Sequence, residues 1–140
     1  MAELTPEIRD FLSYGTRTGK LGYLASDGRP LVAPIWFVVH ADELWFNTGR
    51  DTAKGKAIVR DPRLVLCVDL ESPPYAFAQV QGIATVSEDP EELVSSATEI
   101  AHRYMGAERA EEFGKRNGVP GELLVKLRPT KVVAHMDISG

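Results

Sequence analysis

The sequence has 140 residues, which is enough for one domain with a hydrophobic core and too few for two. Its net charge of −4 and ordinary globular composition argue against broad binding to nucleic acid or anionic membranes. Because Cys67 is the only cysteine and no run of about 18 apolar residues or export signal is present, we expect one cytoplasmic domain over residues 1–140, with no nucleic-acid or membrane partner.

The first elements of the chain are predicted to be a short helix and a β-hairpin. Thr5 and Pro6 favour an N-cap and a first helical turn, and apolar residues follow at helical spacing. A strand is predicted over Leu21–Ala25, followed by a tight turn at Ser26–Pro30 and a long return strand over Leu31–His40. Together with the strand that comes next, these segments predict an antiparallel meander.

Pro34 is expected to interrupt the return strand, because proline has no N–H for a β-ladder and is confined to edges and bulges. An interruption leaves backbone N–H and C=O groups free to meet a planar heteroaromatic ring with amide edges. The residues that would line such a ring are Ala33, Pro34, Ile35 and Trp36. The alternative is an edge strand with a bulge that binds nothing.

The positive charge of the chain is concentrated in residues 47–63, between two predicted strands. Asp51 or Thr52 is the expected N-cap of a short helix, which places Lys54 and Lys56 in its first turn. The helix macrodipole disfavours cations there by up to about 1 kcal/mol each, and a bound anion would reverse that effect. Free backbone N–H groups, a hydroxyl and lysines are the usual means of holding a phosphate or carboxylate. We therefore predict an anion site, against the alternative of a solvated basic helix.

Asn47 and Thr48 open this basic segment and are included among the candidate cofactor-binding residues. A nucleotide-triphosphate loop does not fit, because the spacing from Gly49 to Gly55 is one residue too long. Ala57 also stands where a hydroxyl would ligate magnesium. The predicted ligand is therefore small and anionic.

A long strand predicted over Tyr75–Val86 has two unlike faces. The face with aromatic and amide side chains carries Tyr75, Phe77, Gln79 and Gln81. It is too polar for an ordinary core and too aromatic for an ordinary surface, so we expect it to meet a partner subunit or to line a ligand.

The last third of the chain predicts two helices and two closing strands. The first helix begins at Asp89–Glu92, and its apolar residues at helical spacing are Leu93, Val94, Ala97, Ile100, Ala101 and Tyr104. A second helix is predicted over Ala107–Arg116. The closing strands are predicted over Leu123–Leu127 and Lys131–Met136.

The sequence offers no obvious catalytic side chain. The three histidines stand far apart without the spacing of a metal site, and Cys67 has no sign of activation. No Gly-x-Ser-x-Gly nucleophile motif is present. If the protein is an enzyme, a bound organic cofactor should therefore carry the reaction, with no metal and no catalytic residue of its own.

The order of several motifs resembles the pyridoxamine 5′-phosphate oxidase-like family over nearly the whole chain. The motifs that carry this resemblance lie at residues 22–30, 32–37, 52–56, 61–63 and 81–84. Residues 103–107 and 117–122 make the chain similar to the actinobacterial branch that uses the deazaflavin coenzyme F420. The resemblance implies a mainly β fold with peripheral helices, namely a split β-barrel with a greek-key core, and a homodimer with two cofactor sites at the subunit interface.

By position, the resemblance makes Lys54 the phosphate-binding lysine, with Thr52 and Lys56 beside it, and places residues 34–36 along the ring. Tyr75 and Gln79 are further candidates for cofactor binding. Ala33 stands where true pyridoxamine phosphate oxidases have an arginine, and their C-terminal substrate-binding extension is missing. That activity is therefore not expected.

The remaining expectation is a small reductase that uses F420 or, as the second choice, FMN. It would transfer a hydride between the cofactor and a small unsaturated or quinone-like organic substrate. Lys56, Arg50 and Arg60 are candidates to hold the anionic tail of F420. A third possibility, of a different class, is a flavin or haem carrier or a sensor without turnover.

Overall fold

The computed structural model describes residues 2–140, which form seven strands and four helices. The strands are β1 Gly19–Leu24, β2 Pro30–Ile35, β3 Val38–His40, β4 Glu43–Gly49, β5 Arg63–Leu70, β6 Ala76–Ser87 and β7 Glu122–His135. The helices are α1 Pro6–Ser13, α2 Ala53–Arg60, α3 Pro90–Met105 and α4 Ala107–Asn117. Among residues 2–140, no helix is both long and apolar enough to cross a lipid bilayer.

All seven strands pair antiparallel in one sheet, in the order β2-β1-β5-β6-β7-β4-β3. The two edge strands, β2 and β3, are separated in the chain only by Trp36 and Phe37. The sheet must therefore curve until its edges meet, and it opens where these two residues leave the ladder. The fold is a mainly β split barrel, as the family resemblance implied.

The predicted meander is wrong for the long return strand, which divides between opposite edges of the sheet. Its first half is β2, which pairs only with β1, and its second half is β3, which pairs only with β4. Pro34 does not interrupt the strand, because it lies in edge strand β2 opposite Lys20. An edge strand has one open side, where a missing N–H costs no ladder bond. The interruption falls at Trp36 and Phe37 instead.

The barrel interior is filled by alternate residues of the strands. Its fully buried large side chains include Leu21, Phe37, Leu44, Phe46, Leu66, Val80 and Leu127. Helix α1 adds Ile8 and Leu12 to this core, and its N-cap is Thr5 as predicted. Strand β6 alternates between buried residues and half-buried aromatic or amide residues over 76–82, which confirms its predicted two faces.

The two predicted closing strands are one continuous strand, β7, with a bulge in its pairing to β6. The register shifts between Gln81 and Gly82, so that Gln81 pairs with Lys131 and Gly82 with Pro129. A side chain at Gly82 would overlap the carbonyl oxygen of Arg128. The close approach at the bulge therefore requires glycine, and the strand continues through it.

Helices α3 and α4 pack closely on each other, and α3 lies beside β4 and β7. A Cβ atom at Gly118 would lie 2.7 Å from the Cα of Val94, and one at Gly114 would overlap Thr98. These glycines allow the two helices to approach each other. Helix α3 consequently has a fixed position over β4, which forms one wall of the site described next.

Candidate functional site

The basic segment folds as predicted into a turn and a short helix, α2, whose N-cap is Thr52. The Thr52 hydroxyl accepts from the Gly55 N–H at 3.0 Å and donates to the Gly49 carbonyl at 2.7 Å. A side chain at Gly55 would overlap the Gly49 carbonyl oxygen. The first turn of α2 therefore lies directly against the end of β4, with Lys54 as its second residue.

A cavity of about 250 Å³ lies between α2, the β2–β3 junction and helix α3. Its polar lining residues are Asn47, Lys54, Asn117 and Glu122. Its apolar lining residues are Pro34, Ile35, Trp36, Ala97, Ile100 and Ala101. The cavity thus combines one cation, one carboxylate and two amides with an apolar wall.

Asn47 is held in a fixed orientation by a buried hydroxyl on α3. Its amide nitrogen Nδ2 donates to Ser96 Oγ at 3.1 Å, and the fully buried Ser96 hydroxyl donates to the Leu93 carbonyl at 3.2 Å. The side-chain NH2 group of Asn47 is therefore already used in a hydrogen bond to helix α3. The Asn47 side-chain oxygen is the acceptor left for a ligand that carries a hydroxyl or an N–H.

Lys54 and Glu122 are the two charged groups of the cavity lining, and both are half-buried. Burial lowers the pKa of Lys54, and the nearby Glu122 carboxylate acts in the opposite direction. Burial raises the pKa of Glu122, and Lys54 opposes that shift. Within residues 2–140, no carboxylate oxygen lies within 4.0 Å of the Lys54 ammonium. Lys54 is therefore a partly desolvated cation without a direct ion-pair partner in the described part of the chain.

Arg50, another basic residue of this segment, is already paired. Its guanidinium donates to Glu88 at 2.7 Å and lies 3.7 Å from an Asp51 oxygen. These two carboxylates raise the pKa of Arg50, with the Glu88 contact as the larger cause. Arg50 lines a separate cavity of about 160 Å³, which shares Glu122 with the first. In this arrangement Lys54 supplies the positive charge of the main cavity.

The backbone of the strand interruption is held by helix α3. The Phe37 N–H donates to the Tyr104 hydroxyl at 3.2 Å, and the Phe37 carbonyl accepts from the Arg103 guanidinium at 2.7 Å. The Tyr104 ring is stacked on Trp36, with centroids 5.0 Å apart and an angle of 4° between the planes. The N–H and the carbonyl of Phe37 are therefore already hydrogen-bonded within the protein, and the Trp36 ring lies beside the cavity.

A larger cavity of about 540 Å³ lies on the outer face of β1, β2, β5 and β6. Its lining includes Gln79 and Gln81, whose side-chain amides are joined by a 2.8 Å hydrogen bond. Tyr23, Val65 and Arg63 also line it. This is the face of β6 that the sequence assigned to a partner or ligand.

The predicted site residues do not all lie together. Five of them line the main cavity, namely Pro34, Ile35, Trp36, Asn47 and Lys54. The Thr48 side chain is 6% exposed and lies on the opposite face of β4, in line with the buried Leu44 and Phe46. The Thr52 hydroxyl is used as the helix cap, and Lys56 is exposed outside the cavity lining. Their part in binding a cofactor stays a prediction.

The other three predicted residues lie away from the main cavity. Ala33 is a half-buried residue of β2. Tyr75 lies in the turn before β6 and is 45% exposed, and Gln79 lines the larger cavity. The two binding hypotheses for the β6 face therefore concern a different surface from the one around Lys54.

Sequence reasoning assigned no role to the lining residues from α3, α4 and β7. The available signal was the apolar stripe of α3, which includes Ala97, Ile100 and Ala101 but fits a core helix equally well. Glu122 and Asn117 lie at the two ends of the segment 117–122, which contributed only to the family resemblance. Nothing local marked either residue as part of a cavity.

Comparison with known proteins identifies the class of fold and then the family. The description "Pyridoxamine 5′-phosphate oxidase" belongs to a family model that matches residues 4–136, so the chain belongs to this family. No curated protein sequence matches the chain significantly.

Three solved structures illustrate the fold. The conserved hypothetical protein Rv2991 from Mycobacterium tuberculosis has a TM-score of 0.82 and 23% identity over 99% of this chain and 89% of its own. A structure described as F420 reductase has a TM-score of 0.71 and 23% identity over 92% of this chain and 98% of its own. The haem storage protein HutZ from Vibrio cholerae has a TM-score of 0.74 and 18% identity over 99% of this chain and all of its own. At these identities the likeness concerns the fold.

Proposed function

We propose that the protein is an F420-dependent oxidoreductase, which transfers a hydride between the deazaflavin and a small unsaturated or quinone-like organic substrate. The observation that carries this proposal is the half-buried Lys54 at the start of α2. It faces a cavity with an apolar wall and has no direct ion-pair partner among residues 2–140. Such a cation favours an anionic ligand. The fold shared with a structure described as F420 reductase adds support.

The residues around the cavity fit a cofactor that has a ring, a polyhydroxyl chain and a phosphate. The Lys54 ammonium and the free N–H groups of the first turn of α2 suit the phosphate. The Asn47 oxygen suits a hydroxyl of the chain or a ring N–H, and Trp36 with Ile100 suits the apolar surface of the ring. When bound, the deazaflavin supplies a ring carbon that accepts or donates a hydride.

The volume of the cavity suggests that one chain encloses only part of the cofactor. Small-molecule sites usually occupy roughly 300–1,000 Å³, whereas this cavity measures about 250 Å³. A second copy of the chain in a homodimer would complete the enclosure. In that arrangement Lys54 would hold the phosphate, while the apolar residues would orient the ring and exclude water.

FMN is the second candidate, because it shares the tricyclic ring, the ribityl chain and a phosphate with F420. A non-catalytic flavin or haem carrier is the third, and the fold shared with HutZ favours it. Of the three cations predicted to hold an anionic tail, Arg50 is paired with Glu88 and Arg60 donates to the Leu24 carbonyl at 3.4 Å, whereas Lys56 is exposed on α2. This placement favours F420 over FMN.

A titration of the apo protein with F420, FMN and haem tests the proposal. We expect the tightest binding for F420, followed by reduction of quinone-like or unsaturated acceptors in the presence of the reduced cofactor. Tight FMN binding with turnover would select the second candidate. Tight binding of haem or flavin without turnover would select the third, and no binding of any of the three would refute the proposal.

We predict a homodimer that is buried through the surface from Tyr75, in the turn before β6, to Gln81, which includes Phe77 and Gln79. Sedimentation at micromolar concentration should show a dimer, and Gln79→Glu should weaken it by burying two added carboxylates. This change preserves the acceptor of the Gln79–Gln81 hydrogen bond, so the fold should persist. Val59→Glu on the exposed side of α2 is the control and should remain dimeric. A monomeric wild-type protein would contradict this prediction.

We also predict that Cys67→Ala leaves turnover nearly unchanged. Cys67 lies in β5 opposite Gln79, outside the lining of the main cavity, and burial raises the pKa of its thiol. A thiol with a raised pKa is a poor nucleophile at neutral pH. Steady-state kinetics of the variant should stay within about twofold of wild type. Loss of most activity with intact circular dichroism would indicate thiol chemistry instead.

A further inference from the structure

Glu122 occupies a position between the main cavity and the smaller one. It is the first residue of β7 and pairs with Gly49, at the end of β4 that leads into α2. It lines the main cavity together with Lys54 and Asn117, and the smaller cavity together with Arg50 and Glu88. The residue is half-buried, and burial raises the pKa of its carboxyl, whereas Lys54 opposes that shift.

The charged groups that line the two cavities, Glu122 included, are two cations and two carboxylates, so their charges cancel. On the α2 side Lys54 contributes one positive charge, and Glu122 itself contributes one negative charge when ionised. On the other side Arg50 is neutralised by its 2.7 Å contact with Glu88. An anion that binds to Lys54 therefore also feels the Glu122 carboxylate, and each additional negative charge on the anion is opposed.

Phosphate groups differ in charge according to how many ester bonds they carry. A phosphomonoester has a second pKa near 6 and a charge of about −1.5 to −2 at neutral pH. A phosphodiester has no second ionisation and keeps a charge of about −1. A cavity with one cation and a nearby carboxylate matches the single charge better than the double charge.

We propose that Glu122 is a specificity-determining residue that makes the site prefer a phosphodiester monoanion to a phosphomonoester dianion. This inference rests on the proposed function and deepens it, since F420 contains a phosphodiester and FMN a phosphomonoester. Lys54 attracts both phosphates, and Glu122 discriminates between them by repelling the extra charge. The selectivity should strengthen as the pH rises, because both Glu122 and the phosphomonoester then lose protons.

The test compares FMN with its phosphate monomethyl ester, which share the ring and the ribityl chain and differ in phosphate charge. Flavin fluorescence titrations give both dissociation constants for wild type and Glu122→Gln. At about pH 8, Glu122→Gln should shift the ratio of the two affinities toward FMN by about five- to tenfold. At about pH 5.5, where FMN is mostly a monoanion, the shift should be small.

Glu7→Gln on α1 is the matched control, because it removes an exposed carboxylate that lines neither cavity, and the ratio should stay unchanged. If Glu122→Gln does not fold, the pH dependence of the ratio in the wild-type protein still tests the inference. A wild-type protein that increasingly favours FMN as the pH rises would overturn it. An unaltered ratio of the two affinities in Glu122→Gln would also overturn it, if F420 binding and turnover persisted. Failure of every cofactor to bind would overturn the proposed function together with this inference.

Discussion

Replacing Lys54 with alanine should weaken cofactor binding by roughly ten- to a hundredfold. A charge-assisted contact to a phosphate contributes about 1.5–3 kcal/mol, and each 1.4 kcal/mol corresponds to about tenfold in affinity. The effect should be at the upper end of this range, because Lys54 is half-buried and supplies the positive charge of the cavity. Titration of the variant with F420 measures it directly.

The same substitution should not destabilise the protein without cofactor. Lys54 is the second residue of α2, where the macrodipole disfavours a cation, and no carboxylate lies within 4.0 Å of it among residues 2–140. Thermal melting of the apo variant should therefore match wild type. Lys56→Ala is the matched control on the same helix, since Lys56 is exposed outside the main cavity, and its effect on F420 affinity should be small. Unchanged affinity in Lys54→Ala would refute the assignment, and a lower melting temperature would indicate a structural role.

Replacing Arg103 with methionine should lower the free energy of unfolding by about 2–4 kcal/mol. Its guanidinium donates to the carbonyls of Leu12, Gly15 and Phe37 at 2.7–2.9 Å, so one side chain on α3 joins the end of α1 to the strand interruption. A hydrogen bond to a charged group contributes about 1.5–3 kcal/mol, and part-buried acceptors without a donor add a penalty. Methionine keeps much of the apolar volume against Phe37, so the loss would reflect the polar contacts.

Denaturant unfolding of the variant measures this change. Arg109→Met is the control, because Arg109 is exposed on α4 and makes an ion pair at 3.4 Å with Glu112, three residues later. That control should stay within about 0.5 kcal/mol of wild type. If Arg103→Met lowered the free energy of unfolding as little as Arg109→Met, the interruption would be held by Tyr104 and by core packing of Phe37 alone. Cofactor affinity should also fall in Arg103→Met, since Trp36 adjoins the released backbone.

Local sequence patterns determined most of the elements and the principal cation of the candidate site. Thr5 caps α1 as predicted, and Thr52, one of the two predicted candidates, caps α2, because hydroxyl side chains satisfy free N–H groups where a helix begins. The alternation of residue types along β6 predicted its two faces, because successive side chains in a strand point to opposite sides. The first turn of α2 placed Lys54 without any knowledge of tertiary contacts.

The tertiary structure alone decided which residues surround Lys54. Strand order sent β2 and β3 to opposite edges of the sheet and opened the ladder at Trp36, although the local sequence pointed to Pro34. Packing of α3 brought Ala97 and Ile100 to the cavity, and pairing of β7 with β4 brought Glu122 beside the basic helix. These contacts join segments tens of residues apart, and their formation depends on burial of the whole core. Residue spacing within one element holds no information about these contacts. Lys54 could therefore be predicted from the sequence, and the Glu122 carboxylate that faces it could not.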